Sequence, residues 1–387
     1  MKFDFNKMPA SDAEVIKHHS RSFSLAAKLL PASIRADVEK LYAWCRWCDD
    51  AVDEAPSKEE AKKRIEILSS DVKRISEGKL PLHAASQWLA DLSDRYEIPS
   101  ELPLDLLQGM ATDIENPIFE TVDELLLYCY RAAGTVGLMM CRIMGVHDKI
   151  ALENAEALGI AMQLTNIARD LSEDWQTGRR YVPKKWLSLI PLKDMTPSNG
   201  QVRMAVQELL DLADRYYSKG YQGLKQLPDG SRMAIRLAGV IYQEIGNEIR
   251  RQDLRVMSGR LFVPLTLKLK LGASCLISEI KFRSMRATKS TLISPFRSAF
   301  LDTFQYNGKT KMNYETRYLG YLGLSLTFVM ATTMFLLMGL NPKETVYEGL
   351  PWIYSGGCAL IAAGTGIMAR RMNQHLTPQP VKAEPRQ

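Results

Sequence analysis

Up to about residue 270, apolar side chains recur at intervals of three and four, and no stretch shows the strict alternation of a strand. This pattern predicts an almost entirely helical region. Three short groups fit the capping-box pattern and mark helix starts: "SDAE" at Ser11, "SKEE" at Ser57 and "TVDE" at Thr121. Turns are expected at "LLPAS", "EIPSELP", "ENPI", "LIPLKDMTPSNG" and "QLPDG", where proline and glycine interrupt the periodicity.

Two stretches break the amphipathic rule. In "QLTNIARDLSEDW", Gln163, Asn166, Asp170 and Asp174 share one helical face, while Leu158, Ile160, Leu164, Ile167 and Leu171 are apolar. In "LYAWCRWCDDAVDEA", Tyr42, Arg46, Asp49 and Asp53 share another. Carboxylates one turn apart repel, by a few tenths of a kcal/mol on an open helix and by much more if buried. A solvated acidic face is the simplest account of either stripe alone. Both, however, sit among Trp, Cys, Leu, Ile and Ala, and both keep an arginine close by. A divalent cation reverses the repulsion. Mg²⁺ takes one or two carboxylates, several waters and phosphate oxygens, so two such helices facing each other would hold Mg²⁺ around a diphosphate. Mn²⁺ is the alternative ion. Arg46 and Arg169 supply fixed positive charge for phosphate, and Gln163 and Asn166 can donate to phosphate or bind metal-bound water.

Beyond residue 270 the pattern changes. Residues 271–317 are basic, with Lys281, Arg283, Arg286, Lys289 and Arg297, and read as a juxtamembrane linker on an anionic lipid surface. Residues 318–340, "YLGYLGLSLTFVMATTMFLLMGL", carry no charge, and neither do residues 349–369. Both runs are long enough to cross a bilayer. They predict a two-helix transmembrane hairpin over 318–369, with Gly356, Gly357, Ala359, Ala363 and Gly364 letting the helices pack closely. Lys309, Lys311 and Arg317 precede it and Arg370 and Arg371 follow, which puts both ends and the helical region in the cytoplasm. Residues 370–387 read as a disordered tail.

Composition adds limits. With 387 residues and 46% hydrophobic side chains, the chain can build a full core. A net charge of +6 does not argue for a nucleic-acid partner. Six scattered cysteines suggest a reducing compartment. The "CRWC" at Cys45 and Cys48 has neither a second pair nor a histidine pair nearby and reads as helix packing. His18 and His19 point to different faces. No apolar leader core opens the chain, so no cleavable signal is expected.

Residues 11–265 resemble the squalene/phytoene synthase family, all-helical head-to-head prenyl diphosphate synthases, and are most similar to its bacterial phytoene-forming members. The resemblance rests on "HHSRSFSLAAKLLP", "YAWCRWCDDAVDE", "YCYRAAGTVG" and, most specifically, "QLTNIARDLSEDWQTGRRYVP". It implies one catalytic helical domain over 1–270 with a central cavity. It implies that Asp49 and Asp53 form the first aspartate motif and Asp170 and Asp174 the second. Arg46, Gln163, Asn166 and Arg169 would be metal and diphosphate residues. Ser20, Ser22 and Phe23 would form the entry, and Tyr42, Tyr130 and Tyr242 would be cavity tyrosines. Arg260 would be a late basic residue near the second diphosphate, and "GRRYVPKKW" a flap over the site. The implied reaction joins two geranylgeranyl diphosphates, through a cyclopropylcarbinyl diphosphate, to phytoene. Squalene or dehydrosqualene formation from farnesyl diphosphate stays open, as does a non-catalytic membrane assembly role. Lipid and downstream carotenoid enzymes are the implied partners. Without a Gly-rich dinucleotide fingerprint, NADPH is not expected. A dry cavity with aromatic faces such as Phe23 and Tyr130 would suit the carbocations of this chemistry. Ala132, Ala133, Gly134 and Gly137 read either as close approach to a long ligand or as tight helix packing.

Overall fold

The computed structural model describes residue 5 and residues 25–188, 191, 194, 196, 199–254 and 261–289, with the side chains of 281–289 excepted. All regular structure among the described residues is helical, and one isolated bridge pairs Ile118 with Arg180. The described part falls within the unit Met1–Ile293. Ser11, Ser20, Ser22, Phe23, Arg260 and both uncharged runs (318–340 and 349–369) lie outside the described residues. No described helix is long and apolar enough to cross a membrane.

Helix α1 (Ala32–Asp53) starts directly after Pro31 and buries Val38, Leu41, Trp44, Cys48 and Val52 on one side. Helix α2 (Lys58–Ser76) starts as its sequence signals: the Ser57 hydroxyl accepts the Glu60 N–H at 3.2 Å, with acids in the first turn and Lys73 and Arg74 in the last. Next come α3 (Gln87–Tyr96), α4 (Glu101–Ile114) and α5 (Val122–Cys129). Thr121 caps α5 by accepting the Glu124 N–H at 3.3 Å, while the Glu124 carboxylate takes the N–H of Glu120. A wider π turn, Tyr130–Gly134, joins α5 to α6 (Thr135–Ile143). Then follow α7 (Lys149–Thr177), α8 (Gly200–Gln222), α9 (Asp229–Arg251) and α10 (Leu265–Lys289).

Helix α7 is the axis of the fold. Its 29 residues extend about 43 Å at 1.5 Å per residue. Leu158, Ile160, Leu164, Ile167, Leu171 and Trp175 bury against α8, α9 and α5. A second core joins α1, α2, α3, α4 and α6 through Leu41, Trp44, Leu68, Leu89, Leu106 and Met139. Where α6 and the π turn cross α7, backbone meets backbone. A Cβ on Gly159 would stand 2.4 Å from the Ala133 carbonyl oxygen, and one on Gly137 would stand 2.8 Å from that of Ala155. The small-residue cluster therefore serves tight packing.

The sequence-based boundary at residue 270 is displaced. Helix α10 runs unbroken through it and packs on α9, burying Cys275 and Glu279. The fully buried Arg232 guanidinium donates to both Glu279 oxygens at 2.9 Å and also pairs with Asp229. The first part of the stretch taken for a linker is thus a packed helix. Glu279 thus turns inward onto a buried partner.

Candidate active site

The last turns of α1 and the second half of α7 face one cavity of about 460 Å³. Tyr42, Arg46, Asp49 and Asp53 line it from α1, and Gln163, Asn166, Arg169, Asp170 and Asp174 line it from α7. Both polar stripes thus turn inward onto shared space. Their opposite flanks are buried in the two cores, and this fixes the rotation of each helix.

The acids meet arginines. Arg46 reaches Asp49 at 2.8 Å and Asp50 at 2.5 Å. Arg169 donates through Nε and Nη2 to the two oxygens of Asp170, at 2.7 and 2.5 Å. Arg179, just past α7, donates to Asp53 at 2.6 Å and so ties the two halves of the site together. Asn166 Nδ2 donates to Gln163 at 3.3 Å, while its buried Oδ1 has no hydrogen-bond partner. From α4, Asp113 enters the same space and accepts from the Tyr128 and Tyr181 hydroxyls at 3.1 and 2.6 Å.

Crowding shows in the acid strengths. Burial, then the neighbouring Asp53, pushes the Asp49 carboxyl up to about 7. Burial, then Asp170, pushes Asp174 up to about 7. Burial raises Asp113 to about 6 against the pull of Tyr181, Arg179 and Tyr128. The Asp49 side chain keeps 39% of its surface accessible, yet it lines the cavity, so its carboxyl is only partly hydrated. All three hold their protons to higher pH than in the unfolded chain, where the ordinary value is 3.8. The folded state therefore binds more protons between about pH 4 and 7, and stability falls as pH rises through that window. In chelator-treated protein the melting midpoint should be about 2–4 °C lower at pH 8 than at pH 6, after discounting for water at the mouth. Thermal melts of wild type and Asp49→Asn would check this. The gap must shrink in the variant, and an equal gap would remove Asp49 as a cause.

Away from the acids the cavity turns apolar, lined by Leu106, Met110, Val136, Met140, Leu158 and Ile235 among others. Ala132, Ala133 and Gly137 contribute to its wall, so the small residues that permit close packing also border the space. Two thiols, Cys45 and Cys141, border it too, and burial pushes both up to about 12. Both are held toward the protonated, poorly nucleophilic form near neutral pH.

Tyr42 and Tyr242 line the cavity as expected. Tyr130 does not. Its hydroxyl donates to Asp105 at 2.9 Å, outside the cavity lining, and the tyrosine that this segment turns inward is Tyr128. The cause is local. Tyr128 lies in the last turn of α5, and Tyr130 opens the π turn, two residues on and therefore on another face. The sequence reading also passed over Asp113, which has no stripe partner in "MATDIENP". Of the flap in "GRRYVP", Arg179 and Tyr181 both reach the cavity.

Among the described residues no three His, Cys, Asp or Glu side chains converge into a protein-only metal cage. The donor set is nevertheless all oxygen. It pairs repelling carboxylates with the unpartnered Asn166 oxygen, which suits a hard cation that completes its shell with water and phosphate.

A helical fold enclosing a cavity with an acidic, arginine-lined mouth and an apolar body defines a class of protein built for amphiphiles with an anionic head. The comparisons sharpen this. The squalene/phytoene synthase profile matches residues 16–266, and the chain belongs to that family. It is 38% identical over 248 residues to a 15-cis-phytoene synthase of Paracoccus sp., covering 62% of this chain and 82% of that protein. It is 35% identical over 271 residues to a phytoene synthase of Rhodobacter capsulatus, covering 68% and 80%. Among solved structures it resembles a ligand-bound dehydrosqualene synthase, with a TM-score of 0.63 and 28% identity over 69% of this chain and 94% of that one. A squalene synthase of Alicyclobacillus acidocaldarius shares the fold, with a TM-score of 0.56 and 24% identity over 63% and 95%.

Proposed function

We infer that the protein is a phytoene synthase. It joins two geranylgeranyl diphosphates head to head, through a cyclopropylcarbinyl diphosphate, to phytoene, and both diphosphates leave. The observation that carries this is one cavity with two aspartate stripes at its mouth and an apolar body behind them. An amphiphile enters such a space one way round. Each buried methylene gains about 0.8 kcal/mol, while the diphosphate can stay only where positive charge awaits it.

Asp49, Asp53, Asn166, Asp170 and Asp174 are the residues that would hold Mg²⁺. Bound there, the ion supplies Lewis-acid neutralisation of the leaving diphosphate. Arg46, Arg169 and Arg179 would add hydrogen-bond donors and positive charge to the diphosphate. Behind the mouth, Leu106, Met110, Met140 and Leu158 exclude water, and the protonated Cys45 and Cys141 offer no strong nucleophile to a carbocation. Tyr42 and Tyr242 line the same space and supply aromatic rings beside a developing cation. NADPH plays no part in this reading, because proton loss rather than hydride ends the reaction. The uncharged runs at 318–340 and 349–369 support membrane anchoring of the domain on its cytoplasmic side, near a product soluble only in lipid.

Purified protein incubated with geranylgeranyl or farnesyl diphosphate, plus Mg²⁺, with and without NADPH, should form phytoene from the first substrate alone and without NADPH. A C30 hydrocarbon from farnesyl diphosphate as the sole product would overturn the assignment. The chain cut after Arg317 should give the same product without detergent, and loss of activity there would overturn the reading of the hairpin as an anchor.

A further inference from the structure

Asp113 and the segment after α7 form a connected device that neither polar stripe contains. Asp113 sits near the end of α4, and both its oxygens are used, Oδ2 by the Tyr128 hydroxyl and Oδ1 by that of Tyr181. The two tyrosine rings stack with centroids 4.7 Å apart. Tyr128 belongs to α5, whereas Tyr181 lies beyond α7, so one carboxylate gathers three separate parts of the chain.

The segment around Tyr181 is also held by its backbone. Gly178 turns the chain out of α7 at φ 93°, a left-handed conformation that glycine adopts freely. The Arg180 N–H donates to the Pro117 carbonyl at 3.0 Å, and the Lys184 N–H to that of Phe119 at 2.9 Å. The two consecutive arginines part company. The Arg180 guanidinium lies over the Trp175 ring at 3.9 Å, while Arg179 points into the cavity onto Asp53. Arg179 is thus held on one side by its own N–H, which donates to the Asp174 carbonyl at 2.9 Å, and on the other by Tyr181, two residues on, whose hydroxyl donates to Asp113.

We propose that Asp113 is a positioning residue. Through Tyr181 it fixes the segment after α7 so that Arg179 stands over Asp53, where the guanidinium receives the substrate diphosphate. In the ligand-free state Arg179 neutralises an aspartate, and diphosphate with its counter-ions takes over that pairing. This rests on the diphosphate reading above. In this arrangement the positioning effect of Asp113 runs through the Tyr181 hydroxyl to Arg179.

A double-mutant cycle on the full-length protein separates this from plain packing, with inorganic diphosphate in Mg²⁺ as the probe and affinity read by calorimetry. Arg179→Gln should weaken binding by about 10- to 100-fold, the worth of a hydrogen bond to a charged group. Tyr181→Phe keeps the stacked ring and removes only the hydroxyl, and should weaken binding by about fivefold to tenfold. In the Arg179→Gln background the same tyrosine change should cost less than about twofold, because its route to the phosphate is gone. Asp113→Asn should follow Tyr181→Phe, and the tyrosine variant carries the test if the aspartate variant folds poorly. Equal losses in both backgrounds, or no loss from Tyr181→Phe, would overturn the positioning role while leaving the diphosphate site intact. Failure of wild type to bind diphosphate would overturn the site reading and this inference with it.

Discussion

Asp49→Asn and Asp174→Asn should each lower turnover by at least about 10³-fold while leaving the protein folded. One residue is taken from each helix because the reading needs both. An amide matches the carboxylate in shape but carries no charge to hold a cation. At these two positions the folded chain itself gains from the change. Burial, with Asp53 beside Asp49 and Asp170 beside Asp174, already pushes each carboxyl up to about 7. Neutralising either one relieves repulsion, so the chelator-treated melting midpoint at pH 8 should stay or rise by about 1–2 °C. Lost activity with unchanged or improved stability is the signature of a group kept for its ligand. Measured product formation near wild-type rates in either variant would remove that residue from the site. A fall in both activity and stability would mark it as structural.

Glu279→Ala should cost about 3 kcal/mol and lower the melting midpoint by about 10 °C. The reasoning is one of uncompensated charge. Arg232 is fully buried, and both Glu279 oxygens accept from it. Removing that carboxylate leaves the guanidinium with the Leu227 carbonyl, at 3.3 Å, and with Asp229, which is more than half exposed. The double replacement Arg232→Met with Glu279→Leu should recover most of the loss, because an apolar pair no longer needs a counter-charge. These melts also decide the standing of α10. If the helix were a loose tether, Glu279→Ala would shift the midpoint by less than a degree.

Much of this protein was legible in its sequence, for a definite reason. Helix periodicity and caps are local physics. Ser57 and Thr121 begin α2 and α5 because the hydroxyl and the N–H it accepts lie three residues apart. The stripes on α1 and α7 were readable on the same ground, since residues three and four apart share a face whatever the rest of the chain does.

Tertiary structure decided what spacing along a helix cannot carry. It turned both stripes onto one cavity, because the apolar flanks of α1 and α7 bury into two different cores that meet there. It exchanged Tyr130 for Tyr128 as the inward phenol at the entrance to the π turn. It carried α10 across the expected boundary by giving Glu279 a buried partner 47 residues away. It also brought Asp113, which has no acidic neighbour three or four residues away in its helix, to Tyr181 at a separation of 68 residues. Contacts of that range are chosen by packing and by the need to pair buried charge, and neither is written in the local pattern of residues.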